Sequence, residues 1–161
     1  MSILFLRRYT AFLIPFFALG FFSGCATADP NAQSRAAMLS EIAAEPLGDY
    51  FIGRRYYKVD YKFWGYVRKP GQSWSTAKMV MMNEHQKLAP DRELGKIGSD
   101  ANYEYKLYGE FSGDIVYEPA SNGFYPEFVL KGYELKTVTP GSIFKAPGAT
   151  DPRRRVIAKP Y

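Results

Sequence analysis

The chain predicts a mainly β domain: a small five-stranded barrel or an open β-sandwich, with a short helix before it and a disordered basic tail after it. Three observations lead there. Apolar and polar residues alternate over several short runs, which is the period of a half-buried strand. Clusters of Gly, Pro, Asn, Asp and Ser separate those runs. The 161 residues include 13 Tyr, 12 Phe and 2 Trp, and aromatic side chains pack well on pleated surfaces.

The elements follow in order. Asp29-Pro30 is a helix start, with Asp as cap and Pro at the first helical position. Ala36, Leu39, Ile42 and Ala43 recur at helical spacing through about Ala44, and Pro46 and Gly48 end the pattern. From Tyr56 to Arg68 the period is two. Tyr57, Val59, Tyr61, Phe63 and Val67 share one face; Tyr56, Trp64 and Tyr66 join the charged residues on the other. Lys69-Pro70-Gly71-Gln72 is a turn. A strand is expected over 77–83. Residues 84–101 read as a long loop holding one helical turn. The pattern predicts a strand over 102–111, a turn at Ser112-Gly113-Asp114, a start back over 115–118, and a last strand over 127–136. Phe124-Tyr125-Pro126 reads as a turn entering that last strand. Gly65 and Gly109 lie inside strand patterns, where glycine permits the tight bends of a small curled barrel. An OB-like barrel fits best, and an open sandwich is the second fit. After Thr139 the periodicity vanishes, apart from Ile143-Phe144, an apolar pair able to dock on the core.

The N-terminus carries an export pattern. Arg7 and Arg8 form a basic start, and Tyr9 to Phe22 form an apolar stretch broken only by Thr10, Pro15 and Gly20. That stretch is shorter than the roughly 20 residues needed to span a bilayer. Phe22-Ser23-Gly24-Cys25 follows, and Cys25 is the only cysteine. The segment resembles the lipoprotein signal peptides of bacteria. Ser23, Gly24 and Cys25 match that family's cleavage motif, while Phe22 stands where it prefers an aliphatic residue. The resemblance covers residues 1–25 only. It implies cleavage before Cys25, which then carries diacylglycerol and an acyl chain such as palmitate. Ala26 in place of Asp implies sorting to the outer membrane, facing the periplasm. A rival reading is open: Ala26-Thr27-Ala28 suits ordinary cleavage before Asp29, giving a soluble periplasmic or secreted protein. Thr10 argues against a twin-arginine signal at Arg7-Arg8.

The resulting division is a signal over 1–24, a helix and linker over 25–48, a β-domain over 49–139, and a Pro/Gly-rich basic tail over 140–161. Net charge is +5, but its placement argues against nucleic acid. Residues 25–139 hold 14 basic and 15 acidic side chains. The tail holds Lys145, Arg153, Arg154, Arg155 and Lys159 against Asp151. Nucleic-acid binders carry a basic stripe on the folded body. A basic tail suits anionic lipid head groups or a wall polyanion, or simply water.

Few residues point to catalysis. His85 is the only histidine and lies in the polar run Asn83-Glu84-His85-Gln86. No Gly-x-Ser-x-Gly elbow, phosphate loop, calcium loop or Cys/His zinc set is spelled out, so no cofactor or metal is expected. Glu104, Glu110, Glu118 and Glu127 are the candidate carboxylates for glycoside cleavage, but they alternate with lysines on expected solvent faces. The aromatic excess is the better signal. Tyr56, Trp64, Tyr66 and Tyr108 fall on the expected wet face, and Trp74 lies in the loop beside them. Exposed, these rings are a binding face for an envelope protein or a glycan. Covered by the helix or the long loop, they are core. The sequence therefore predicts a non-enzymatic envelope protein, with a purely structural role as the alternative.

Overall fold

The computed structural model describes residues 31–161. The signal segment, Cys25, the Ala26-Thr27-Ala28 site and the Asp29-Pro30 cap lie outside the described residues. Helix α1 spans Ala32–Ala43. Five strands follow: β1 Phe51–Arg55, β2 Gly65–Arg68, β3 Lys78–Asn83, β4 Glu104–Glu118 and β5 Gly123–Thr137. A single turn of 3-10 helix, Trp74–Thr76, precedes β3, and a short helix, α2 Pro90–Glu93, precedes β4. No described helix is long and apolar enough to cross a membrane.

The strands close into a barrel in the order β1-β2-β3-β5-β4, with β4 returning to β1. All pairings are antiparallel except β3 with β5. This is the small five-stranded barrel, not the open sandwich. Gly65 and Gly109 sit where backbones approach closely. A Cβ on Gly65 would lie 2.2 Å from the Arg54 carbonyl oxygen, and one on Gly109 would lie 2.2 Å from that of Val129.

The strand count is as expected, but Phe124-Tyr125-Pro126 is strand inside β5 rather than a turn entering it, and two further assignments change. The alternating run 56–68 is not one strand. Residues 56–64 connect β1 to β2, and only Gly65–Arg68 is strand. The strand before it, Phe51–Arg55, has all five residues buried, so it offers no alternation to read. At the other change, Ser112-Gly113-Asp114 does not reverse the chain. Strand β4 passes through it with a register shift between Phe111 and Ile115, and the hairpin turns after Glu118. A bulge absorbs the turn-forming residues without ending the strand.

Two apolar layers flank the barrel wall. Directly paired residues lie on the same face of a sheet. Phe51 with Leu107, Gly65 with Val80, and Gly109 with Leu130 therefore share the inner face. There Phe51, Trp64, Val67, Val80, Tyr105, Leu107, Phe128 and Leu130 fill the lumen. Phe51, Phe111 and Phe128 meet edge to face, with centroids 5.1–5.5 Å apart. The outer face of β1–β3 carries Ile52, Tyr66 and Met79, and a second layer covers it. Met38 and Ile42 of α1 supply one part, and Ile143, Phe144 and Ala149 supply the other. The buried stripe of α1 is Met38 and Ile42, whereas Leu39 is exposed.

The C-terminal segment is not a disordered tail. Ile143 and Phe144 are buried, and Tyr61, Tyr66 and Lys58 grip its carbonyls at Arg155 (2.7 Å), Ala158 (2.6 Å), and Ala149 and Asp151 (2.7 Å each). Low periodicity hid this order. The segment folds by offering backbone carbonyls to side-chain donors of the barrel, which leaves no regular pattern.

Candidate functional site

The five aromatics expected on a wet face do not form one. Tyr56, Trp64, Tyr66 and Trp74 are all buried, at 1–4 % exposure. Trp64 belongs to the lumen. Tyr56, Tyr66 and Trp74 belong to the outer layer beneath α1 and the C-terminal segment. Tyr108 alone is half-buried, and its hydroxyl donates to Glu134 at 2.6 Å. Strand period placed Tyr66 on the outward face correctly, but the outward face is itself roofed.

Around Trp74 the roof is charged. Arg54 and Glu104 are directly opposed on β1 and β4 and pair at 2.5 Å. Arg68 of β2 grips Glu45, just past α1, through both terminal nitrogens at 2.6 and 2.7 Å. Lys136 of β5 joins the two pairs, 2.9 Å from Glu45 and 2.6 Å from Glu104. The guanidinium carbons of Arg54 and Arg68 lie 5.2 and 4.5 Å from the Trp74 ring centre. Their Nε atoms are buried without an oxygen partner. The indole ring offers each cation a π-face attraction in its place.

Burial disfavours the Glu45 charge, yet bonds from Arg68, the Gly71 N–H and Lys136 outweigh it and hold its pKa down at about 2. Burial also works against Lys136, and Glu104 and Glu45 outweigh it to raise its pKa. For Arg54 burial dominates and lowers the pKa; Glu104 opposes this and the like charge of Arg68 adds to it. Every carboxylate oxygen of the two Glu residues is engaged. Glu45 is therefore ionised near neutral pH and has no proton to donate. Beside this network lies a cavity of about 260 Å³, rimmed by Glu41, Thr137, Thr139 and Gly141. Small-molecule sites typically measure about 300–1,000 Å³. The cavity admits one side chain or one small polar head.

A second network closes the other side of the wall. Arg55 bonds Asp91 at 3.0 Å and Asp100 at 3.3 Å, and also the Trp64 carbonyl. This ties the loop 84–103 to the barrel. Burial raises the Asp100 pKa, with Arg55 opposing and Asp91 adding to the rise. For Asp91 burial is outweighed by Arg55 and the Gly98 N–H, so its pKa is lowered.

The exposed aromatic face lies elsewhere. At the tip of the β4–β5 hairpin, Tyr117 opposes Phe124 and Ile115 opposes Pro126. These four share one face. Phe124 is 70 % exposed, Ile115 60 % and Tyr117 47 %. The two rings are 5.0 Å apart. The opposite face is anchored, since Tyr125 packs against Phe63 at 5.6 Å. The cue was present in the sequence, but a turn expected at 112–114 broke the pairing that joins Tyr117 to Phe124.

The candidate carboxylates also move. Glu104 and Glu118 are buried, Glu127 is half-buried and Glu110 is exposed. Glu118 accepts from the backbone of Ala120 and Ser121, which fixes the hairpin turn. His85 is exposed beside Asn83. Among the described residues, no group of three His, Cys, Asp or Glu is placed to hold a metal ion. No family model, curated protein or solved structure matches the chain.

Proposed function

We propose that this chain is an exported envelope protein, anchored by lipid on Cys25 in the outer membrane and facing the periplasm. Its barrel is a non-enzymatic binding or assembly module, and the hairpin face of Ile115, Tyr117, Phe124 and Pro126 is its contact surface. The carrying observation is the exposure of Phe124 beside Tyr117 on a face whose reverse is packed. Contiguous exposed apolar side chains mark interaction surfaces. Two adjoining rings suit an apolar patch on an envelope protein or the face of a sugar ring.

The test is co-purification from envelopes. Phe124→Ser and Tyr117→Ser change exposed side chains, so melting temperature should hold while captured protein or glycan is lost. Capture unchanged from wild type would refute the contact surface. The anchor is tested separately by intact mass. A membrane species starting at lipid-modified Cys25 supports it, and a soluble species starting at Asp29 refutes it.

A structural envelope role is the second reading. Burial of Tyr56, Trp64, Tyr66 and Trp74 favours it, as does the internally paired Glu45–Arg68–Lys136–Glu104–Arg54 network.

A further inference from the structure

We propose that the C-terminal segment 140–161 is a docking surface for anionic lipid head groups of the membrane that holds Cys25. The inference rests on the lipid-anchor reading above and adds a second, electrostatic contact to it.

Charge is the first argument. Most of the chain's excess charge outside the N-terminal segment sits here: five basic residues against Asp151, on a body holding 14 basic and 15 acidic residues. Arg155 is engaged by Asp60 at 2.7 Å. Lys145, Arg153, Arg154 and Lys159 are exposed. Each lysine or arginine near an anionic leaflet favours the bound state by a factor of about 5.

Order is the second. A solvated tail would hold these charges nowhere in particular. Here Lys58, Tyr61 and Tyr66 pin its carbonyls, and its own Ile143 and Phe144 are buried. The Arg154 guanidinium folds back to the Pro147 carbonyl at 3.4 Å, which brings it over the Lys145–Gly148 turn.

Position is the third. Asn31 and Lys145 line one surface depression together with Pro147 and Gly148, and a second with Arg35 and Tyr161. The chain therefore enters the described domain beside the basic segment. Residues 25–30 separate Cys25 from Asn31, a reach of at most about 20 Å. Attraction to the leaflet fades over a Debye length of about 8 Å. A tether this short lets Lys145, which lies beside Asn31, and Arg154, which folds back to Pro147, come down into that field, and their charge then favours the docked state.

The experiment uses the intact membrane-purified protein carrying Thr150→Cys. Thr150 is exposed and lines the same depression. In the lipidated chain this is the only free thiol, and it takes a fluorescent label. The protein is reconstituted in vesicles of phosphatidylcholine, with or without phosphatidylglycerol, and quenched with aqueous iodide. Phosphatidylglycerol should shield the label and added salt should restore quenching. Lys145→Gln with Arg154→Gln should lower the docked-to-free ratio about 30-fold, at unchanged melting temperature. Equal quenching in both vesicle types overturns the proposal while leaving the anchor intact. Shielding by soluble polyphosphate but not by vesicles overturns it in favour of a wall polymer. If mass shows no lipid on Cys25, the anchor reading falls by itself. The labelled protein is then floated with vesicles. Flotation with phosphatidylglycerol alone supports the surface, and none overturns it.

Discussion

Arg54 and Arg55 are neighbours in the chain, yet their guanidinium groups end in separate ion networks on opposite sides of the barrel wall. Strand alternation sends Arg54 outward to Glu104 at 2.5 Å, and Arg55 to Asp91 and Asp100 at 3.0 and 3.3 Å. Strand β1 is thereby buried on both faces. One network fastens α1 through Glu45, and the other fastens the loop 84–103.

Removing one partner of the outward pair should be costly. Glu104→Leu leaves Arg54 buried beside Trp74 without its carboxylate, and breaking such a pair costs about 3–5 kcal/mol. The urea midpoint should fall at unchanged slope. Arg54→Met with Glu104→Leu should recover much of the loss, because an apolar pair carries no desolvation cost. A double variant as unstable as the single one would show that the pair stabilises in its own right.

Trp64 and Tyr108 separate core from surface. Trp64 lies in the lumen at 3 % exposure. Trp64→Ala should cost about 3–5 kcal/mol. Tyr108→Ala loses one exposed hydrogen bond to Glu134, worth about 1 kcal/mol. Thermal melts of the two variants check the ranking, and equal melting temperatures would contradict the placement of Trp64.

Acid should loosen the α1 contact. The pKa of Glu45 falls from 4.5 to about 2 on folding. A lowered folded value contributes stability that is complete above pH about 4.5 and is lost as pH falls toward about 2. Asp100 runs the other way. Its raised pKa means the folded carboxyl takes a proton more readily, so its charge weakens the fold at neutral pH and acid relieves that. Denaturant titrations across this window should show Glu45→Gln flattening the acid loss. A slope unchanged by the substitution would exclude Glu45 as its source.

The β class and closure into a small barrel were legible from period and from Gly65 and Gly109, whereas the count of five agrees because an unread β1 is offset by β4 read as two strands. The wet face was not. Alternation reports which side of a strand faces the lumen, but it does not report a second layer laid over the outside. Tyr66 is on the outer face and is buried all the same, because Met38, Ile42 and Phe144 lie over it. Strand β1 was missed because all five of its residues are buried and offer no alternation, and only the fold brings Glu104 and Asp91 to Arg54 and Arg55 from about 50 and 36 residues away. The exposed rings Tyr117 and Phe124 were in view but unpaired, since a bulge at Ser112–Asp114 has the composition of a turn.

Tyr56 is the residue on which the order of the C-terminal segment should depend most. Its hydroxyl lies 2.8 Å from the Ala149 carbonyl and 3.0 Å from that of Val156, and it accepts from the Ala158 N–H at 3.2 Å. Burial raises its pKa, so the hydroxyl is protonated and able to donate at neutral pH. Tyr56→Phe keeps the ring against Phe63 and Phe144 and removes only the oxygen. The Ala158 N–H then loses its acceptor, and a carbonyl loses its donor. An unsatisfied buried group costs about 1–3 kcal/mol. That loss is local, since Lys58, Tyr61 and Tyr66 still hold the segment at other points. Amide hydrogen exchange should therefore quicken over residues 149–161 while β4 and β5 keep their protection. Uniform acceleration would mean that the segment and barrel unfold as one unit. No change at all would mean that the Tyr56 hydroxyl contributes nothing to holding the segment down.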